Sequence, residues 1–120
     1  MAVQYNTTID QGANWYLNVT YKDPEGTPID LTGSTAALQM RTSPLARTAV
    51  LTLTSEPNGG IVITPESGEL ALSATAEQTA AITNGKYSYD LEITVTASGV
   101  VTRLIEGTIL VSPQTTRTGE

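Results

Sequence analysis

The sequence contains no cysteine and no histidine. The absence of cysteine excludes disulfides and thiolate metal sites. The absence of histidine removes the side chain most often used as a general base or a metal ligand. A serine nucleophile would have only Lys22 or Lys86 as a partner base, and no motif surrounds either lysine. We therefore expect no enzyme activity, no catalytic residues, no cofactor and no metal ion.

Charge is also scarce. Charged residues make up 15% of the 120 residues, against roughly 25% in an ordinary globular domain. The net charge is −6, so the basic surface that a nucleic-acid partner requires is missing. No apolar run approaches the roughly 20 residues of a membrane span, and Met1 begins a polar segment rather than a secretory signal. We expect no nucleic-acid or membrane partner, and folding in a cytoplasm.

What the chain has in abundance is strand-like alternation. Along Lys86–Val95, apolar residues alternate with polar ones, so the period of two predicts one buried face. That face comprises Tyr87, Tyr89, Leu91, Ile93 and Val95, and the opposite face Ser88, Asp90, Glu92 and Thr94. A turn at Ala97–Gly99 precedes a second run, Val100–Val111. The two runs predict a hairpin that covers a core.

Shorter runs of the same kind precede this hairpin: Val3–Ile9, Asn14–Lys22, Thr35–Thr42, Thr48–Thr54, Ile61–Thr64 and Glu69–Leu72. Strands spaced every 8–12 residues with turns between them are typical of an all-β sandwich or barrel. We predict one antiparallel β-sandwich, immunoglobulin-like or jelly-roll-like, over residues 1–112. Residues 113–120 lack periodicity and are predicted to be a C-terminal arm or linker.

One segment departs from period two. Residues 74–82 are rich in alanine, and Thr75 and Gln78 have the spacing of a capping box. We predict one short helix there, held by packing against the sheet because it is too short to persist alone.

Two acidic groups are candidate sites. Asp90 and Glu92 lie two residues apart on one strand face, a spacing compatible with a pair of glycosidase carboxylates. Asp23, Glu25 and Asp30 occupy one loop, where clustered oxygens could attract a hard cation. We interpret the first as a solvated strand face and the second as an ordinary acidic turn, because neither matches a complete motif.

Trp15, Tyr16 and Tyr21 form the main aromatic group, which could serve as a sugar-stacking platform or a binding hot spot. Trp15 and Tyr21 are in phase with the apolar face of their strand, so we predict that both belong to the core and that only Tyr16 faces outward. The sequons at Asn6 and Asn18 are interpreted as chance matches in a threonine-rich chain.

Several short motifs occur along the chain: "DQGA", "IDLTG" with a following strand that ends in Arg, a short "TA" helix, "YDLE", and a closing "RLIEG" strand that ends in V-x-P. Together these motifs resemble those of a family of small virion structural proteins of tailed bacteriophages and prophages. The likeness extends from Met1 to about Arg117. The chain also resembles, less closely, the N-terminal β-domain of some phage upper-baseplate proteins. The resemblance implies a virion component without enzyme activity.

We therefore expect a non-enzymatic virion structural protein, made in the host cytoplasm and assembled in multiple copies in the tail, baseplate or neck. Its expected partners are other virion proteins and further copies of itself. A capsid decoration protein and a carbohydrate-binding or adhesion module are the alternatives. A small hydrolase of cell-wall glycans that uses Asp90 and Glu92 is a third.

Overall fold

Residues 3–113, which the computed structural model describes, form two β-sheets and one short helix. The elements are β1 (Val3–Gln4), β2 (Thr7–Asp10), β3 (Trp15–Thr20), β4 (Ser34–Arg41), β5 (Leu51–Thr54), β6 (Ile61–Thr64), β7 (Glu69–Ala74), α1 (Ala76–Ala80), β8 (Gly85–Val95) and β9 (Val101–Ser112), with a 3₁₀ turn at Pro65–Ser67. The larger sheet has the order β1–β9–β8–β4–β5, with β2 also paired to β9, and the smaller has the order β3–β7–β6. The predicted all-β sandwich is confirmed. None of the helical segments in this part of the chain has the length and hydropathy of a membrane span.

The core lies between the two sheets, because each sheet turns one apolar face inward. Leu38, Leu53 and Leu91 of the larger sheet and Leu70 and Leu72 of the smaller one are at most 1% exposed. The alternation predicted for β8 is confirmed for its four central apolar residues. It is wrong for Val95, which is 38% exposed because it ends the strand and pairs with Ser34, the first residue of β4.

A β-bulge breaks the pairing of β8 with β9. Leu91 lies opposite Ile105 but Glu92 lies opposite Arg103, so Leu104 is the extra residue of β9. A bulge lets two neighbouring residues turn toward the same side. Leu104 and Ile105 are accordingly both buried, which period-two reasoning does not predict.

The predicted first strand, Val3–Ile9, is wrong as a single element. It forms β1 and β2, and both pair in parallel with β9, an exception in an otherwise antiparallel sandwich. Tyr5 and Asn6 separate the two strands and lie over Gly107, where an added Cβ would collide with the carbonyl oxygen of Tyr5. The strand divides because its backbone fills the space that Gly107 leaves open.

The predicted capping box is confirmed. The Thr75 hydroxyl accepts from the Gln78 N–H at 3.1 Å, and the Gln78 side chain accepts from the Thr75 N–H at 2.8 Å. Thr79 is fully buried, lies 2.9 Å from the Ala13 carbonyl oxygen and accepts from the Gly12 N–H at 3.0 Å. The helix therefore attaches the loop before β3 to the end of the sandwich.

The strand order is that of an immunoglobulin-like sandwich, with β3, β7 and β6 facing β9, β8, β4 and β5. Such domains often have a tyrosine near the start of the strand equivalent to β8, whose hydroxyl binds backbone slightly upstream. Tyr87 does this here, since its hydroxyl donates to the Thr83 carbonyl at 2.5 Å. Two residues later, where antibody domains have a disulfide cysteine, this chain has Tyr89.

Candidate functional site

A charged cluster lies on the outward face of the larger sheet. Arg103 Nε lies 3.4 Å from Asp90 Oδ2 and 3.9 Å from Glu92 Oε2. Arg103 Nη1 donates to Glu106 Oε1 at 2.9 Å. The guanidinium group of Arg103 thus forms ion pairs with three carboxylates.

The strand register assembles this cluster. Asp90 lies opposite Glu106 and Glu92 opposite Arg103, so the four side chains project from neighbouring positions on the same face. The hydrogen bond that Arg103 donates to Glu106 and, to a smaller extent, the negative charge of Asp90 raise the pKa of Arg103 above its ordinary value. The cluster is therefore held together by a permanent cation.

A shallow depression of about 440 Å³ surrounds this cluster. Its walls include residues of β1, β4, β8 and β9 and Pro44 of the β4–β5 loop. Arg41 at its rim donates to Gln39 Oε1 at 2.6 Å and to the Ala46 carbonyl at 3.1 Å. Both arginines of the depression thus already have partners within the chain.

The predicted common face of Asp90 and Glu92 is confirmed, and Arg103 contacts both. All three side chains are between one-third and just over one-half exposed. Exposed ion pairs of this kind contribute little to stability. Chemically, the arrangement offers an open, charged surface for contacts with another molecule.

The acidic loop uses its carboxylates to hold its own turns. Asp23 Oδ1 accepts from the Glu25 and Thr27 N–H groups, each at 2.9 Å. Asp30 Oδ1 accepts from the Thr32 hydroxyl at 2.6 Å and from its N–H at 2.8 Å, and these bonds lower the pKa of Asp30. Within residues 3–113, no three acidic side chains come together as a metal site.

Trp15 and Tyr16 lie where the sequence predicts them, whereas Tyr21, predicted to belong to the core, only packs against it. Trp15 is 6% exposed, Tyr21 is partly buried against the core, and Tyr16 is 68% exposed. Asn14 Nδ2 lies 3.4 Å from the Tyr16 hydroxyl. Tyr16 is thus a single outward ring with an amide beside it.

The other polar candidates lie apart from the cluster. Lys22 pairs with Pro28 beside the acidic loop, and Lys86 lies on β8 opposite Leu110. Of the two sequon asparagines, Asn6 accepts from the Thr108 N–H at 3.0 Å, and Asn18 lies exposed on β3.

Sequence reasoning missed Arg103, Glu106 and Leu45. The two charged residues stand in the "RLIEG" phrase, but only strand register shows that they lie beside Asp90 and Glu92. Leu45, in the β4–β5 loop, is 93% exposed and has no periodic context that would mark it.

Comparison with solved structures supports the architecture. The structure of the NK cell receptor Nkp44, described as a triggering partner in natural cytotoxicity, matches with a TM-score of 0.52 and 15% sequence identity. The match covers 93% of this chain and 99% of that one. The fold is an immunoglobulin-like β-sandwich. No family model and no curated protein matches the sequence. At this level of identity, the likeness of the sandwich concerns fold alone.

Proposed function

We propose that this chain is a non-enzymatic structural protein of a tailed-bacteriophage virion. It assembles in multiple copies in the tail, baseplate or neck through protein–protein contacts. The observation that carries the proposal is the resemblance of its phrases to small virion proteins, from "DQGA" near the start to "RLIEG" near the end.

Those phrases coincide with residues that the fold needs. Gly12 of "DQGA" has φ +85° and donates to Thr79, and Asp30 of "IDLTG" caps the turn at Thr32. Gly107 of "RLIEG" makes room for the Tyr5 carbonyl. Because the motifs coincide with positions that the fold requires, we expect the virion proteins that share them to have the same sandwich. A shared sandwich supports assigning the structural role of that family to this chain.

Such a protein would act by presenting surfaces of fixed shape to neighbouring subunits. A rigid sandwich presents its sheet faces and edges to neighbours, and repetition in a symmetric assembly multiplies weak contacts. The charged cluster around Arg103 and the exposed Leu45 both suit contact with another protein.

The test is to identify the chain in purified particles by mass spectrometry and to locate a tagged copy by electron microscopy. We expect label at the tail, baseplate or neck. Label spread over the capsid surface would favour the decoration alternative, and absence of the chain from particles would contradict the proposal.

The exposed Tyr16 favours carbohydrate binding as the second candidate. Aromatic rings that stack on sugars must be open to solvent, as this ring is, and Asn14 places an amide beside it. Glycan-array binding by the parent chain that Tyr16→Ala abolishes would support this alternative. Val62→Ala, at a similarly exposed apolar side chain, serves as the control.

A further inference from the structure

Strand β3 forms an open edge of the smaller sheet. Its only strand partner among residues 3–113 is β7, so its other side has no neighbouring strand. Proteins usually protect such edges with charge, proline, bulges or short length. The six residues of β3, Trp-Tyr-Leu-Asn-Val-Thr, contain no charge, no proline and no glycine.

The other edges are shorter or interrupted. Strands β5 and β6 have four residues each, and Pro65 follows β6 directly. The edge formed by β1 and β2 is interrupted at Tyr5 and Asn6. Strand β3 is therefore the edge best suited to accept another strand.

Hydrogen bonding shows which backbone groups point away from the sheet. The Tyr21 N–H bonds the Gly68 carbonyl at 2.8 Å, on the β7 side. Ser73, opposite Tyr16, bonds instead to Gly60 on the β6 side. Because backbone groups alternate along a strand, the N–H and C=O groups of Tyr16, Asn18 and Thr20 face the open edge.

The core is also incomplete beside this edge. Leu17, Val19 and Tyr21 point inward with the phase of Trp15, yet they remain only partly buried. A further strand beside β3 would cover the apolar surface that these side chains still expose. The outward-facing backbone groups of β3 and its partly exposed apolar side chains thus both indicate that a further strand can pair with this edge.

We propose that β3 pairs antiparallel with β3 of a second copy of this chain, about a two-fold axis at Asn18. This deepens the proposed function, since it names the contact through which copies associate. Asn18 then lies opposite its own counterpart and Tyr16 opposite Thr20, so each outward N–H meets an outward carbonyl. On the inner face, Leu17 lies opposite Val19. A two-fold interface requires such self-complementarity, and an uncharged strand meets its copy without repulsion.

The test is sedimentation equilibrium of the full chain with substitutions at the axis. We expect the parent to form dimers. Asn18→Lys and Asn18→Asp should each shift the equilibrium to monomer, because like charges then lie opposite each other. Mixing the two variants should restore a dimer containing one of each. Val62→Lys, at an exposed site on the opposite edge, is the matched control and should dimerise as the parent does.

Cooperative melting of each variant would show that Asn18, an exposed residue, was replaced without unfolding the monomer. A parent that stays monomeric, or an Asn18→Lys variant that dimerises normally, would overturn the pairing. Failure of the mixture to associate would overturn the register. If deletion of residues 114–120 abolished the dimer while the substitutions of Asn18 left it intact, the tail, and not a second β3, would be the segment that pairs with this edge. A chain that is monomeric in solution yet present in particles would overturn this inference and leave the proposed function intact.

Discussion

The hydroxyl of Tyr89 donates to the carbonyl oxygen of Tyr5 at 2.6 Å, joining residues 84 positions apart. The contact depends on Gly107, which lies opposite Tyr89 and leaves space for the Tyr5 carbonyl. Tyr89 is 4% exposed and Tyr5 is 45% exposed, so the bond is partly buried. It secures the junction of β1 and β2 where the backbone leaves regular pairing.

Tyr89→Phe should lower the free energy of unfolding by about 1–2 kcal/mol, because it removes one hydrogen bond and leaves the Tyr5 carbonyl without this donor. Urea titration followed by fluorescence of Trp15 would measure the loss. Tyr16→Phe, at an exposed ring, is the control and should change stability little. Equal effects of the two substitutions would contradict the structural importance of the bond.

Burial of Tyr89, with a smaller contribution from the charge of Tyr5, raises the pKa of Tyr89 from about 10 to about 12. Between these values, the unfolded chain releases the phenolic proton while the folded chain retains it. The contribution of Tyr89 to stability is therefore complete below pH 10 and is lost as the pH rises through about 12. Denaturant titrations across this range should show a steeper decline for the parent than for Tyr89→Phe. Parallel declines would contradict the prediction.

The alternation of β8 allows a direct test of which face is buried. Leu91 is fully buried, so Leu91→Asp should abolish folding by placing an unpaired carboxylate in the core. Leu110→Asp is the matched control, since Leu110 is 51% exposed on the neighbouring strand and should tolerate the charge. Circular dichroism would distinguish the two, and a cooperative melt of Leu91→Asp near the parent temperature would refute the strand phase.

Strands β8 and β9 show which features can be predicted from the sequence and which cannot. Alternation correctly predicts that Leu91 is buried and that Asp90 lies on the opposite, partly exposed face, because side-chain direction within a strand is a local property. It does not predict the bulge at Leu104 or the interruption at Tyr5, because both depend on the strand lying alongside. Asp90 and Glu92 were recognisable in the sequence as two carboxylates on one strand face, whereas the addition of Glu106 and of the shared partner Arg103 depends on the register of β8 with β9.

The buried hydroxyl of Thr79 should contribute more to the stability of the fold than its methyl group does. Thr79→Val keeps the shape of the side chain but leaves the Gly12 N–H and the Ala13 carbonyl without this partner, at a cost of about 1–3 kcal/mol. Thr79→Ser retains the hydroxyl and should recover most of the loss. Thermal melting would compare the three chains. If the serine variant proved no more stable than the valine variant, the hydroxyl would not be the stabilising group.

The parallel pairing of β1 with β9 has a consequence for how the chain folds. Val3 lies beside Ile105, so β1 can form its interstrand hydrogen bonds only after β9 is present. During synthesis, the amino-terminal strands remain unpaired until β9 has left the ribosome. Contacts of such high sequence separation slow folding, to about milliseconds to seconds in all-β domains. The larger sheet is therefore completed only once β9 is available, and a nascent chain that stops before β9 would expose the edge of β8.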